Sequence, residues 1–383
     1  MSSVAWTPAQ SPSRDGSVSH RFYRPELDSL RFFAFLSVFV CHTMDDHTSY
    51  YVARHIPRFL AVIFASGATA GAFGVDLFFL LSAYLITELL LREKEQYGRI
   101  HLSAFYRRRI LRIWPLYFFA LSLAAVLPLV DSTEHFPLVY LCGFLLLCGN
   151  WLTSLVGPPS SVMSPLWSVS FEEQFYLLWP LVVSRVRRRS TLFLFSGGLL
   201  AIAQIGRLVL LENFRHSGTL IFTNTVARLD PLAVGILIAV LTHGRRFHPG
   251  VAIRFTCGAA GIIVWLLAGH YYVLTVPFMI VGYPAMAVGA ALIFLSVLGL
   301  GTAPRFLRYL GKISYGLYVF HLLALYCVVK ILGTYPHNLG KFVVYWCTGL
   351  AITIAMAAVS YRFLESPFLR LKERLAYVTS RPV

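Results

Sequence analysis

Glu26-Leu-Asp-Ser-Leu-Arg31 runs into the apolar stretch Phe32 to Cys41 and then into His42. Charges of both signs stand at the mouth of a hydrophobic helix, with a single imidazole far inside it. From Arg31 to His42, eleven residues on, a helix turns by about 1100°, within roughly 20° of three full turns. The two side chains therefore share one face, about 16 Å apart along the axis. Ionisable groups within a lipid-spanning segment are costly, so by default they mark function. The plainer alternative is a charged helix end with one histidine tucked into a bundle.

Composition settles the environment. Of 383 residues, 57% are hydrophobic and 13% charged, against about 25% charged in a soluble domain. Mean hydropathy is +0.68. Apolar runs recur near the roughly 20 residues a spanning helix needs. The net charge of +16 sits in short clusters between those runs. That is the pattern of cytoplasmic loops beside anionic lipid, not of a nucleic-acid surface. Residues 1–24 are polar and Ser/Pro-rich and read as a disordered cytoplasmic tail rather than a signal peptide. Residues 373–383 form a second cytoplasmic tail. Cys41, Cys142, Cys148, Cys257, Cys327 and Cys347 fall in apolar segments without metal-ligand spacing, and no metal is expected.

The first span is expected from Leu30 to Tyr51 and the second within Ile56 to Leu91, too long for one straight crossing and so broken or interfacial. After the basic stretch Arg92 to Arg112, a third begins at Trp114 and ends before Asp131. Two apolar pieces, Phe136 to Leu155 and Pro165 to Val183, lie between Asp131 and the cluster Arg185, Arg187, Arg188 and Arg189. Keeping every basic cluster cytoplasmic allows only one of the two to cross. Phe136 to Leu155 is assigned as re-entrant or interfacial, which non-helical backbone tolerates where it lines a cavity. Further spans are expected at Thr191 to Leu211, Phe222 to Thr242, Val251 to Gly269, Val273 to Leu300, Ser314 to Gly333 and Lys341 to Val359. The fold class is all-α integral membrane, with about ten transmembrane helices, one re-entrant piece and both termini cytoplasmic.

Several polar residues fall inside this apolar framework. Asp76, with Ser82 six residues on, needs a buried partner, most naturally an arginine from another span; a packing ion pair is the structural alternative. Arg109 and Arg112 share a helical face at the cytoplasmic border, and arginine forks suit phosphate. Arg107 and Arg108 read as topology signals that snorkel to headgroups. In Ser164-Pro-Leu-Trp-Ser-Val-Ser-Phe-Glu-Glu-Gln-Phe-Tyr-Leu-Leu-Trp-Pro180, Glu172 and Glu173 point about 100° apart. One can face a cavity and the other a basic partner, and a desolvated carboxylate beside an imidazole could orient it. Trp167 and Ser168 lie in the same segment. Arg228 with Asp230, Tyr315 with His321, and Glu365 stand near span ends, and His321 by itself reads as a satisfied bundle histidine.

Taken in order, several stretches resemble the membrane-bound acyltransferase-3 family, which O-acylates sugars, lipids and natural products. They are Asp28-Ser-Leu-Arg31 with His42, Gly74 to Thr87 with Phe78-Phe79-Leu-Leu-Ser82-Ala83, and Arg109-Ile-Leu-Arg112. Ser164 to Pro180, Arg228-Leu-Asp-Pro231 and Ile313-Ser-Tyr-Gly-Leu-Tyr-Val-Phe-His321 complete the set. No single motif is specific, but the ordered set is, and it places an acyltransferase-3 transmembrane domain at residues 25–372. The resemblance implies that His42 is the essential catalytic histidine and that Arg109 and Arg112 contact an acyl-CoA donor, most naturally acetyl-CoA.

On this reading Arg31 assists the donor or pairs with Asp28. The pantetheine arm runs along the face shared by Arg31 and His42. His42 serves as general base or acyl carrier, and Glu172 or Glu173 orients or charge-balances it. The expected partners are membrane lipid and a carbohydrate or lipid-linked acceptor, without nucleic acid, in a bacterial inner membrane. Two other classes compete. A secondary transporter also uses buried charges and broken helices, but no inverted repeat is visible. A membrane sensor or scaffold would not need His42 so deep on the Arg31 face.

Overall fold

The computed structural model describes residues 22–213, 218–245, 247–271, 278–332 and 339–373. Most of both expected tails, and the basic positions Arg246 and Arg374, lie outside the described residues. Helix α1 is Pro25–Thr43. Pro25 occupies its first turn, where a missing N–H is harmless, and Glu26 and Asp28 sit against the positive end of the helix dipole. There follow α2 (Thr48–Val52), α3 (Arg58–Gly71), α4 (Gly74–Tyr97), α5 (Leu102–Val130), α6 (Leu138–Leu145) and α7 (Gly149–Val156). Next come α8 (Leu166–Arg185), α9 (Arg189–Asn213), α10 (Gly218–Thr223), α11 (Asp230–Thr242), α12 (Val251–His270) and α13 (Tyr283–Val297). The chain ends in α14 (Arg305–Lys312), α15 (Ser314–Leu332), α16 (Leu339–Ser360) and α17 (Ser366–Glu373). Wider turns at Phe278–Gly282 and Tyr361–Glu365 run into α13 and join α16 to α17.

The fold is all-helical among the described residues, apart from an isolated bridge between His135 and Ser160. Seven helical segments there are long and apolar enough to cross a membrane, so the chain is an integral membrane protein. Helices α1 and α8 are of similar length but carry Glu26, Asp28 and Arg31, and Glu172 and Glu173, within them. Apolar helices with ionisable groups inside them are what a polar intramembrane site requires.

Of four expected segments, the first and last come out differently, whereas Ile56 to Leu91 is broken and Phe136 to Leu155 is too short in its helices to cross, as expected. The first helix stops at Thr43, and Tyr51 belongs to the separate α2. Ile56 to Leu91 is broken at Ala72 and Phe73 into α3 and α4. Phe136 to Leu155 forms two eight-residue helices, each rising about 12 Å and unable to cross a hydrocarbon core of about 30 Å. Phe222 to Thr242 is not one helix: α10 ends at Thr223, a single tight turn covers Val226–Arg228, and α11 begins at Asp230. The break there lets Arg228 and Asp230 turn inward to buried partners.

Helix α4 is the centre of the bundle, buried over most of its length against α1, α8, α11 and α13. Its seat against α1 is close. A Cβ on Gly74 would stand 2.5 Å from the Ala34 carbonyl oxygen, so only glycine lets the two backbones meet there. Gly311 at the end of α14 likewise lies against the Asp28 backbone, where a Cβ would come within 1.8 Å of its carbonyl. These contacts fix the charged mouth of α1 between α4 and α14.

Candidate functional site

A cavity of about 440 Å³ opens among α1, α4, α5, α8 and α15. Its walls combine apolar side chains such as Val75, Phe79 and Leu85 with Arg31, Arg108, Arg109 and Arg112. Helix α5 carries three of these arginines because it begins at Leu102, a full three turns before Trp114, so the basic stretch and the expected third span are one helix. Arg109 lies over the rings of Phe105 and Tyr176, 5.4 and 5.2 Å from their centroids. Neither Arg109 nor Arg112 forms an ion pair with a carboxylate among the described residues. Half-buried cations without carboxylate partners are costly, and here they face an open volume that an anion could enter. Arg108 also lines this cavity and lies 3.3 Å from Glu93, so it is more than a topology signal. Arg107 is exposed, as a snorkelling residue should be.

Arg31 donates to Asp28 at 2.7 Å, and Tyr23 donates to the other oxygen of Asp28 at 2.8 Å. Opposite them, Glu172 accepts from Ser82 at 3.1 Å and from Tyr176 at 2.6 Å, while Tyr176 also lies 3.0 Å from Ser82. All three line the cavity. The adjacent glutamates therefore separate as helical geometry requires. Glu172 faces the arginine-lined volume. Glu173 points away, accepting from Trp114 at 3.2 Å through Oε2, with Oε1 buried and unpaired.

At its inner end the cavity closes on Ser168 and Tyr318. Ser168 donates to the Tyr318 hydroxyl at 2.7 Å, and that hydroxyl lies 3.2 Å from the Pro165 carbonyl. Tyr315 also lines the volume and donates to the Ile113 carbonyl at 3.2 Å. Trp167 instead packs against Phe79 and Phe222.

His42 does not line this cavity. It occupies the last turn of α1 and is exposed, which corrects the expectation of an imidazole sunk in the bundle. The cause is that α1 ends one residue later, at Thr43. Because α1 is continuous from Arg31 to His42, the two keep the shared face that helical rotation dictates. The ring that meets His42 is His321, 5.1 Å away between centroids. No hydrogen bond or ion pair joins Glu172 or Glu173 to His42. The glutamate expected to orient His42 thus serves the arginine cavity instead, because α8 presents Glu172 toward α4 and α5 rather than toward the end of α1.

Asp76 finds the arginine partner that its burial demands. It pairs with Arg228, which is wholly buried and ringed by Phe73, Phe222 and Tyr283. Asp230 pairs with Arg207 at 2.5 and 3.0 Å. These residues stand outside the cavity lining and tie α4, α9 and α11 together. Glu365 is buried, 3.5 Å from Ser360. Residues not singled out in the sequence include Tyr176, Tyr318 and Arg207. Each has a partner more than twenty residues away that local pattern does not announce, although Tyr176 also meets Glu172 one turn away on its own helix. Tyr176 and Tyr318 nevertheless lie within the quoted Ser164 to Pro180 and Ile313 to His321 segments.

The chain spans a little over half the length of the curated relatives it matches. It is 25% identical to O-acetyltransferase OatA of Staphylococcus aureus over 382 residues, covering 90% of this chain and 57% of the relative. It is also 25% identical to a putative O-acetyltransferase of Staphylococcus aureus over 394 residues, covering 94% of this chain and 59% of the relative. No solved structure matches. A family model described as an acyltransferase domain matches residues 24–362, which takes in α1, the cavity arginines Arg31, Arg108, Arg109 and Arg112, and both His42 and His321; the chain belongs to this acyltransferase family.

Proposed function

We propose that this protein transfers an acyl group, most simply acetyl, from acyl-CoA to a hydroxyl of a carbohydrate or lipid-linked acceptor at or across the membrane. The observation that carries the reading is the cavity in which Arg109 and Arg112 face open volume without carboxylate partners. A CoA molecule carries several phosphate charges on a flexible arm, and a guanidinium cluster beside an apolar channel suits both parts. Arg109 and Arg112 hold the phosphates, and Arg31, fixed by Asp28, adds charge at the mouth. The basic clusters set this mouth on the cytoplasmic side, in a topology of about ten crossings with both termini inside. The membrane concerned is a bacterial inner membrane.

The thioester then lies toward Ser168 and Tyr318, and the acceptor comes from the side on which His42 is exposed. His42 takes the proton of the acceptor hydroxyl, whose oxygen bonds to the thioester carbonyl carbon. The carbon–sulfur bond breaks, and the departing CoA thiolate receives the proton back from the imidazolium. Rotation of the Tyr318 and Phe78 rings, which meet edge to face at 5.8 Å, would join the donor cavity to the histidine side.

Detergent-purified protein tests this reading through its melting temperature with added CoA. A ligand at 100 times its Kd stabilises by about 2.7 kcal/mol. CoA should raise the melting temperature of the wild type and leave R109M/R112M unmoved. Absence of a CoA shift in the wild type would overturn the donor assignment.

A further inference from the structure

His321 has a bonding pattern that packing alone does not account for. It is wholly buried, and its Nδ1 lies 2.5 Å from the carbonyl oxygen of Tyr318. A carbonyl can only accept, so Nδ1 carries the hydrogen and Nε2 is a bare lone pair. That Nε2 is sealed from solvent and has no hydrogen-bond partner. An orphaned buried polar atom costs about 1–3 kcal/mol, so it calls for a donor. Among the described residues, the rings against His321 are Phe35, Tyr318 and His42. Phe35 has nothing to donate, and the Tyr318 hydroxyl is engaged with Ser168 and Pro165. His42 remains, and its own ring makes no hydrogen bond among the described residues. The two ring centroids lie 5.1 Å apart with their planes tilted by 42°, so turning the exposed His42 ring can bring one of its nitrogens to Nε2, a bond not made in this structure.

We propose that His321 is a positioning residue whose bare Nε2 accepts the N–H of His42, leaving the other nitrogen of His42 as the base that meets the acceptor hydroxyl. The inference rests on the reading of His42 as that base. A neutral imidazole has one donor and one acceptor, and which is which follows from the bond made by the first. His321 thus fixes both the tautomer of His42 and the direction of its lone pair. During transfer His42 gains the hydroxyl proton on its outward nitrogen and returns it to the CoA sulfur, while His321 neither gains nor loses a proton. Tyr318 links the two halves of the site, because its carbonyl orients His321 and its ring closes the donor cavity.

Two substitutions separate this role from packing. Asn at 321 keeps an amide N–H near the Nδ1 position but supplies no acceptor at the Nε2 position. Gln can place its amide oxygen there. Full-length protein in liposomes is assayed with radiolabelled acetyl-CoA and an envelope extract from the producing cells as the acceptor source. H321N should lower kcat by roughly 100-fold, the scale of a misaligned reacting group, with KM for acetyl-CoA changed less than about threefold. H321Q should recover at least about a tenth of the wild-type kcat. Wild-type kcat in H321N, a folded H321Q as inactive as H321N, or a loss shared with CoA binding would each overturn the inference. If H321N melts well below wild type, H321Q decides alone: retained transfer supports the acceptor role, and lost transfer in a folded protein refutes it. H42A separates the two levels. An inactive H42A beside a fully active H321N removes only the positioning role, whereas an active H42A removes the base assignment beneath it.

Discussion

His42 and His321 lie 5.1 Å apart between ring centroids, one exposed at the end of α1 and the other sealed within α15. The pair stands just beyond Tyr318, where the arginine-lined cavity ends. On the proposed function, donor recognition and proton transfer fall in neighbouring regions, with α1 contributing Arg31 to the first and His42 to the second.

The arginines should act on donor affinity. Replacing Arg112 with Met removes one charge-assisted contact, worth about 1.5–3 kcal/mol, so CoA binding should weaken roughly 10- to 100-fold. R109M should weaken binding similarly and also lower the melting temperature, because Arg109 covers the rings of Phe105 and Tyr176. Calorimetric titration of CoA into purified protein measures the first effect and thermal unfolding the second.

The two glutamates should behave oppositely. E172Q weakens charge-assisted bonds from Ser82 and Tyr176 and should reduce both melting temperature and transfer. E173Q retains an acceptor for Trp114 while removing a buried charge with an unpaired oxygen. It should melt at or above the wild-type temperature. Parallel melts and transfer assays on the two variants check the assignment.

Breaking the Asp76–Arg228 pair should be severe. Removing one member of a buried pair strands the other charge, at a cost of about 3–5 kcal/mol. D76L or R228M should accumulate poorly as folded protein. The double variant D76L/R228M should recover part of the loss, as apolar replacements of whole buried pairs do. Yield of monodisperse protein from membranes, measured for all three, reports the coupling.

Stability should also depend on His243. Burial works to lower its pKa, but the carboxylates of Glu88 and Glu95, at 2.7 and 2.9 Å, outweigh it and hold the imidazole above its ordinary value of 6.5. A group with a raised folded pKa stabilises fully below its unfolded pKa and loses that contribution as pH rises through the folded value. The wild-type melting temperature should therefore be highest below pH 6.5 and fall as pH rises above it. H243Q should show a lower acid plateau and a flatter profile, measured by thermal unfolding on both sides of that pH.

Much of this arrangement was legible because its signals are local. Three helical turns between Arg31 and His42, the spacing of Arg109 and Arg112, and the 100° between Glu172 and Glu173 follow from helix geometry alone. Asp76 called for an arginine because an isolated buried carboxylate is too costly. The sites that escaped depend on distance in the chain. Ser82 meets Tyr176 and Glu172 across ninety residues or more, and no pattern within either helix announces the meeting. The break before α11 was hidden because Leu229 and Pro231 to Leu241 keep the hydropathy high around Arg228 and Asp230. His321 looked like a satisfied bundle histidine because its orphaned Nε2 is visible only once α1 and α15 are side by side.

The most direct test of the central claim is the transfer rate of H42A from radiolabelled acetyl-CoA, in liposomes with an envelope extract as the acceptor source. General-base catalysis contributes about 10²- to 10⁴-fold. H42A should lose transfer by that factor while still melting cooperatively and still being stabilised by CoA. Transfer by H42A at the wild-type rate would contradict the account.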